Sequence, residues 1–234
     1  NPANLAEFEG KNNYQFIKGD ICDPKIVQQA MEGVDLIVHF AAESHVDRSL
    51  DDPELFLRTN ILGTFNLLNI AAKKNIRFHH ISTDEVFGAL ELGTEDKFSE
   101  ITPYDPRSPY SSSKASSDHL VRSFYHSFNL PITISNCSNN YGPYQSPEKF
   151  LPRMITNLLT DQKVKVYGDG LNVRDWLHVL DHCRAIEAII LKGKIGETYV
   201  IGGLTKDVNN LELTKTVLGL MGKGEDQIEF VADR

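Results

Sequence analysis

Val34-Asp-Leu-Ile-Val-His-Phe40, a helical pattern over 53–73, and then Phe78-His-His-Ile-Ser82 form the stretch that decides the fold. Two short apolar runs bracket a helix with Leu57, Ile61, Phe65 and Leu68 on one stripe. A near-continuous apolar run marks a strand buried on both faces, and a helix between two such strands marks a parallel pair. The alternation continues outward. Strand-like runs recur at 15–18, 132–137, 164–167, 198–201 and 228–231. Helical patterns fall at 24–31, 108–128 (Leu120, Phe124 and Phe128 four apart), 180–191 and 211–220. The expected architecture is α/β, a doubly wound parallel sheet with a smaller region attached. Ligands of such sheets bind beyond the carboxyl ends of the strands. That rule points to 41–47, 83–88 and 138–144.

Composition narrows the class. Of 234 residues, 41% are hydrophobic and 24% charged, the balance of a globular chain rather than a disordered tail, a fibre or a disulfide scaffold. No apolar run approaches the ~20 residues that cross a bilayer, and Val34–Ala42 is broken by Asp35 and His39, so no membrane partner is expected. A net charge of -8 argues against nucleic acid, although local Lys and Arg can still hold a polyanionic small molecule. Cys22, Cys137 and Cys183 form no CxxC pair and read as reduced thiols of a cytoplasmic protein. Doubly wound nucleotide-binding sheets open on a strand, a glycine-rich turn and a helix. Here the one glycine cluster, Gly219-Leu-Met-Gly222-Lys-Gly224, follows a helix and reads as its C-cap. The expectation is a chain that lacks the first βαβ unit, about 30 residues, and whose C-terminal end is also cut short.

Several motifs could carry chemistry. Tyr110-Ser-Ser-Ser-Lys114 opens a helical pattern, and a four-residue step puts both side chains on one face. There an ammonium would lower the phenol from its usual value of ~10 and make it a base for an alcohol. Tyr14-Gln-Phe-Ile-Lys18 has the same spacing on an expected strand, where four residues span about 13 Å. Helical context separates the two. Ser82-Thr83-Asp84-Glu85 follows a strand directly; it suits paired acid and base work, and equally a helix N-cap. His178 and His182 have zinc-helix spacing but lack the Glu and a third ligand, so no metal is expected. Ser44-His45-Val-Asp47 holds triad residue types, yet a triad needs convergence in space; Ser44 reads instead as a hydrogen-bonding group at a strand end. Arg174 beside Asp175 suits a diphosphate, with a structural Arg–Asp pair as the bland alternative.

Longer segments converge on a family. They are Gly19-Asp-Ile-Cys-Asp23, Phe40-Ala-Ala-Glu-Ser-His-Val-Asp-Arg-Ser49, Thr59-Asn-Ile-Leu-Gly-Thr64, Ile81-Ser-Thr-Asp-Glu-Val-Phe-Gly88, Ser108-Pro-Tyr-Ser-Ser-Ser-Lys114 with Ala115-Ser-Ser-Asp118, and Asn136-Cys-Ser-Asn-Asn-Tyr-Gly-Pro143. Arg174-Asp-Trp176 and Ile201-Gly-Gly203 continue the series. The chain resembles the extended short-chain dehydrogenase/reductases, and among them the nucleotide-sugar 4,6-dehydratases, which Thr-Asp-Glu after the strand marks. Phe87 stands where that segment usually has Tyr.

The resemblance implies a Rossmann-like sheet, NAD as cofactor, a nucleotide-sugar substrate and a homodimer in deoxysugar (rhamnose) biosynthesis. Tyr110 would take the C4 hydroxyl proton, with Lys114 on the nicotinamide ribose and tuning Tyr110. Thr83 would bond the sugar near C4, Glu85 would remove the C5 proton and Asp84 would protonate the departing C6 hydroxyl. Asp20, Ile21, Phe40, Ala41, Ala42, Ser44, Thr59, Tyr110, Lys114 and Asn140 would hold the cofactor. Ser44, Thr83, Asn139, Lys149, Val166, Tyr167, Arg174 and Asn210 would hold the sugar nucleotide. The implied division is 1–142 with 173–203 for NAD and 143–172 with 204–234 for the sugar nucleotide. The implied substrate is dTDP-glucose, with a UDP-sugar 4,6-dehydratase or 4-epimerase as the rival enzyme. A non-catalytic NAD-binding regulator is the rival of another class, and it would not need Tyr110, Lys114, Asp84 and Glu85 together.

Overall fold

Capping residues and short apolar runs set the element boundaries in the computed structural model, which describes residues 2–90, 96–203 and 208–232. The strands are β1 (Leu36–His39), β2 (Arg77–Thr83), β3 (Ile132–Cys137), β4 (Asn139–Tyr141), β5 (Val164–Tyr167), β6 (Val173–Arg174), β7 (Trp176–His178), β8 (Thr198–Ile201), β9 (Val208–Asn209) and β10 (Ile228–Val231). The helices are α1 (Pro24–Ala30), α2 (Val46–Asp51), α3 (Pro53–Phe56), α4 (Thr64–Lys74), α5 (Pro109–Phe128), α6 (Phe150–Leu159), α7 (Val179–Lys192) and α8 (Asn210–Leu220). The start of α5 shows why boundaries fall where they do. Ser108 and Ser111 satisfy each other's backbone N–H groups, Pro109 sits in the first turn, and Asn129 ends the helix at φ 54°.

The chain forms two compact units, 1–137 with 184–201 and 138–183 with 202–234. In the first unit β1, β2, β3 and β8 make one parallel sheet in that order. Leu67, Leu68 and Ala71 of α4 and Val121 and Phe124 of α5 bury against Phe78, Ile132 and Ile134. This is the Rossmann-like arrangement expected from the sequence. In the second unit α6 and α8 bury Met154, Leu158, Val217 and Leu218 against Val164 and Val166. The expected division put 138–142, 173–183 and 202–203 with the NAD-binding part. By contacts these segments cluster with the second unit, where β4 pairs with β7 and β6 with β9.

Three expectations need correction. Residues 15–18 form no strand, and Phe16 is 57% exposed; a lone apolar run has no ladder to satisfy its backbone. Tyr14 and Lys18 therefore lie on irregular backbone. The long helix over 53–73 is interrupted by a π-helical segment, Leu57–Gly63, between α3 and α4. Its wider turns shift the buried stripe, so Phe56, Asn60, Thr64, Leu68 and Ala71 face inward while Leu57 and Phe65 are exposed. Phe128 is exposed too, and α5 buries Ser113, Lys114, Ser117 and Asp118 rather than a purely apolar stripe. Of the polar loop expected over 88–109, residues 91–95 lie outside the described residues.

The sheet carries a buried polar layer. His39 Nε2 lies 2.9 Å from Thr64 Oγ1, and His79 Nδ1 lies 2.8 Å from Thr133 Oγ1. His80 is fully buried, and burial, with the nearby Lys114 charge, pushes it down to about 4. Burial also holds His39 well below its usual value, reinforced by His80 and Lys114. The folded chain keeps both neutral, whereas the unfolded chain protonates them below pH ~6.5. Stability is then full above that pH and falls as pH drops toward 4. For His80 alone the loss over that window is about 3 kcal/mol. Asp118, whose carboxyl is held below its usual range, acts only at lower pH and does not offset this. Thermal unfolding between pH 7 and 4.5 should show a midpoint falling by about 6–12 °C, and a level midpoint would contradict neutral buried histidines.

Candidate active site

The carboxyl end of β2 delivers the acidic pair. Thr83 Oγ1 accepts the Glu85 N–H at 3.3 Å and caps a single 3-10 turn, Asp84–Phe87. The capping reading and the site reading therefore hold together, because the cap fixes both half-buried carboxylates at the strand end. Gly88 closes the turn at φ 93°, where a Cβ would meet the Asp105 carbonyl at 2.6 Å. Tyr110, in the first turn of α5, packs edge-on to Phe56 with ring centroids 6.3 Å apart. Its phenol shares this space with Thr83, Asp84, Glu85 and Cys137, all of which act on it electrostatically.

The balance of those interactions corrects one expectation. Burial, then Glu85, Cys137 and Asp84, push the Tyr110 phenol above its usual range, and the Thr83 hydroxyl alone opposes them. Lys114 is not among the leading influences on it. Its Nζ donates to the Ile81 carbonyl at 2.7 Å, and its charge is coupled chiefly to Asp118. Helical spacing placed both side chains on one face, but the sheet beneath α5 redirects the ammonium.

The residues of the first unit expected to hold the cofactor gather at the end of β1 and along the π segment. Phe40, Ala41 and Ser44 are exposed, and Ala42 is half-buried. Buried Asn60 pins this segment: it exchanges hydrogen bonds with the Glu43 backbone at 2.9 and 3.0 Å and donates to Ser113 Oγ at 2.8 Å. Ser117 Oγ donates to the Asn60 carbonyl at 2.6 Å. Half-buried Thr59 adjoins it. Asp20 accepts the Cys22 N–H at 2.8 Å and faces Arg58 at 3.7 Å, while the Ile21 side chain fills the space over Gly63. Asn60 and Asp118 escaped sequence reasoning. The signal for Asp118 was a carboxylate four residues past Lys114.

These residues suit a dinucleotide. Lys114 is 4% exposed and makes one hydrogen bond among the described residues, so two of its three N–H groups remain for a pair of ribose hydroxyls. Asp20 offers a half-exposed carboxylate, and Phe40 and Ala41 stand exposed just past the end of β1.

The second unit carries the other set. Asn139 donates its backbone N–H to the Asp175 carbonyl, next to Arg174, and Arg174 pairs in register with Val208, two residues before Asn210. Asn140 Oδ1 lies 2.8 Å from His182 Nδ1, so that histidine is hydrogen-bonded within the fold. Lys149 precedes α6, and Tyr167 ends β5. The Val166 side chain is sealed in the core, which leaves only its backbone for a ligand.

The family model described as GDP-mannose 4,6 dehydratase matches residues 2–233. A dTDP-glucose 4,6-dehydratase of Mycobacterium tuberculosis is 51% identical over 230 residues, which is 98% of this chain and 69% of that protein. The crystal structure of a dTDP-glucose 4,6-dehydratase from Streptomyces venezuelae, solved with NAD bound, superposes with a TM-score of 0.95 at 44% identity, covering 100% of this chain and 72% of that one. A UDP-glucuronic acid 4-epimerase from Bacillus cereus superposes at 0.92 with 29% identity, covering 99% and 73%.

Proposed function

Because the chain belongs to the GDP-mannose 4,6 dehydratase family, we infer that it is an NAD-dependent hydro-lyase that converts dTDP-glucose to dTDP-4-keto-6-deoxyglucose and water. The single observation that carries this reading is the capped Thr83-Asp84-Glu85 turn against the Tyr110 phenol. An epimerase needs a base at C4 only, whereas a dehydratase also needs a base at C5 and an acid at C6. Similarity to the dTDP-glucose enzymes supports the nucleotide, and NAD bound in the similar Streptomyces structure supports the cofactor.

Lys114, Asp20, Ile21, Phe40, Ala41, Ala42, Ser44, Thr59, Tyr110 and Asn140 would hold NAD. The chemistry that bound NAD supplies is reversible hydride transfer, from C4 at the start and to C6 at the end. Tyr110 takes the C4 hydroxyl proton and Thr83 orients that oxygen. Glu85 removes the C5 proton and later returns one. Asp84 gives its proton to the C6 hydroxyl, which leaves as water. Asn139, Lys149, Tyr167, Arg174, Asn210 and the Val166 backbone hold the nucleotide sugar, Arg174 through the diphosphate.

A homodimer is part of the reading, and apolar side chains exposed along α2–α5 support it: Leu50, Leu55, Leu57, Leu62, Phe65 and Phe128. Among the described residues no helix is long and apolar enough to cross a membrane, and none of the three cysteines forms a disulfide. A cytoplasmic setting is part of the reading, with the product feeding deoxysugar (rhamnose) synthesis. The test is incubation with NAD and either dTDP-glucose or UDP-glucose, read by mass spectrometry. Loss of one water from the dTDP sugar is the expected result. Isomerisation without water loss would replace the reading with a 4-epimerase.

A further inference from the structure

Asp118 is fully buried on α5, one turn beyond Lys114. Its Oδ2 accepts from Ser82 Oγ at 2.8 Å, Tyr104 OH at 2.8 Å and Asn136 Nδ2 at 3.2 Å. The same Asn136 amide donates to the Thr83 carbonyl at 3.1 Å. Asp118 Oδ1 lies 3.2 Å from His80 Nε2. A buried carboxylate is costly unless hydrogen bonds and an opposite charge compensate it. His80 is the neighbour that does most to hold the carboxylate ionised, and the Lys114 ammonium comes next.

We propose that Asp118 is a positioning residue: its charge keeps Lys114 an ammonium, and its bonds to Ser82 and Asn136 fix the strand end from which Thr83, Asp84 and Glu85 emerge. This deepens the function proposed above, because it rests on reading Lys114 as the cation on the cofactor side. Burial pulls Lys114 below its usual range; Asp118 chiefly, and Cys137, oppose that pull. The groups facing Asp118 are Lys114 from α5, His80 from β2 and Tyr104 from the loop before α5. Behind them, His39 of β1 stands beside His80, and Arg122 acts on Tyr104.

The test begins without substrate or cofactor. In protein carrying 13C-labelled lysine, the Lys114 resonance is followed against pH in wild type and in Asp118→Asn. Its titration should move down by about one pH unit or more, and the alkaline limb of dTDP-glucose turnover should move with it. Ser82→Ala and Tyr104→Phe remove hydrogen bonds but keep the charge; they should lower stability and leave the Lys114 titration in place. An identical Lys114 titration in wild type and Asp118→Asn overturns the proposal. Should Asp118→Asn fail to fold, Lys114→Met probes the coupling from the other side. A carboxylate that has lost its cation protonates at higher pH, so the acid-unfolding midpoint should rise, and an unmoved midpoint overturns the proposal equally. A shifted Lys114 titration in a protein that does not turn over dTDP-glucose would count against the substrate assignment, and not against this coupling.

Discussion

Tyr110→Phe lowers the turnover of dTDP-glucose by ~10²–10⁴-fold, the usual contribution of a positioned base, with little change in substrate affinity. The ring keeps its edge contact with Phe56 and loses only the proton carrier. The surroundings make this residue sensitive. Burial and the neighbouring Glu85, Cys137 and Asp84 all oppose the tyrosinate, and the Thr83 hydroxyl is the interaction that favours it. Thr83→Val should therefore raise the phenol further and move the rising limb of the rate profile to higher pH. Steady-state kcat and KM measured against pH for the three proteins decide the point. A Tyr110→Phe enzyme within about tenfold of wild type would remove the phenol from proton transfer.

The acidic turn divides into two separable losses. Glu85→Gln should place no solvent deuterium at C5 and expel no water, because the amide cannot accept the C5 proton. Asp84→Asn should still exchange the C5 hydrogen while losing water ~10²–10⁴-fold more slowly, because the leaving hydroxide has no acid. Both substitutions keep the volume of half-buried side chains and leave the Thr83 cap in place. The products made in deuterated water are read by mass spectrometry and NMR. Wild-type enzyme that leaves C5 free of deuterium would falsify the elimination step and, with it, the hydro-lyase reading.

Much of this was legible before the fold. The strands at 78–82, 132–137 and 198–201 were legible as short β-rich runs, and the two central ones bury nearly every side chain, polar ones included. Tyr110 and Lys114, and the acidic turn after β2, followed from helical spacing and from strand-end placement. Legibility failed where a partner in space decides the outcome. Residues 15–18 look like a strand, but a strand exists only through its neighbour. A π segment leaves little local trace in sequence, so of the expected stripe Leu68 faces inward while Leu57 and Phe65 do not. Asp118 sits in a run of serines that gives no local sign of burial, and only the sheet beneath α5 makes it a buried anion. The direction of the Lys114 ammonium was hidden for the same reason.

The π segment Leu57–Gly63 has a bearing on engineering for heat resistance. Regular α geometry gives better hydrogen bonds than π turns, and such bulges often mark functional sites. Automated redesign that rewards ideal helices would shorten this loop of the helix by one residue, or fill it with strong helix formers. Each residue turns a helix by about 100°, enough to swing Asn60 away from Glu43 and Ser113. The redesigned chain would still carry every residue assigned to the chemistry, while the segment after β1 lost the bonds that pin it and the buried amide lost its partners. Better helix propensity on paper would then lower both stability and activity, so the segment is best frozen before any stabilisation campaign begins.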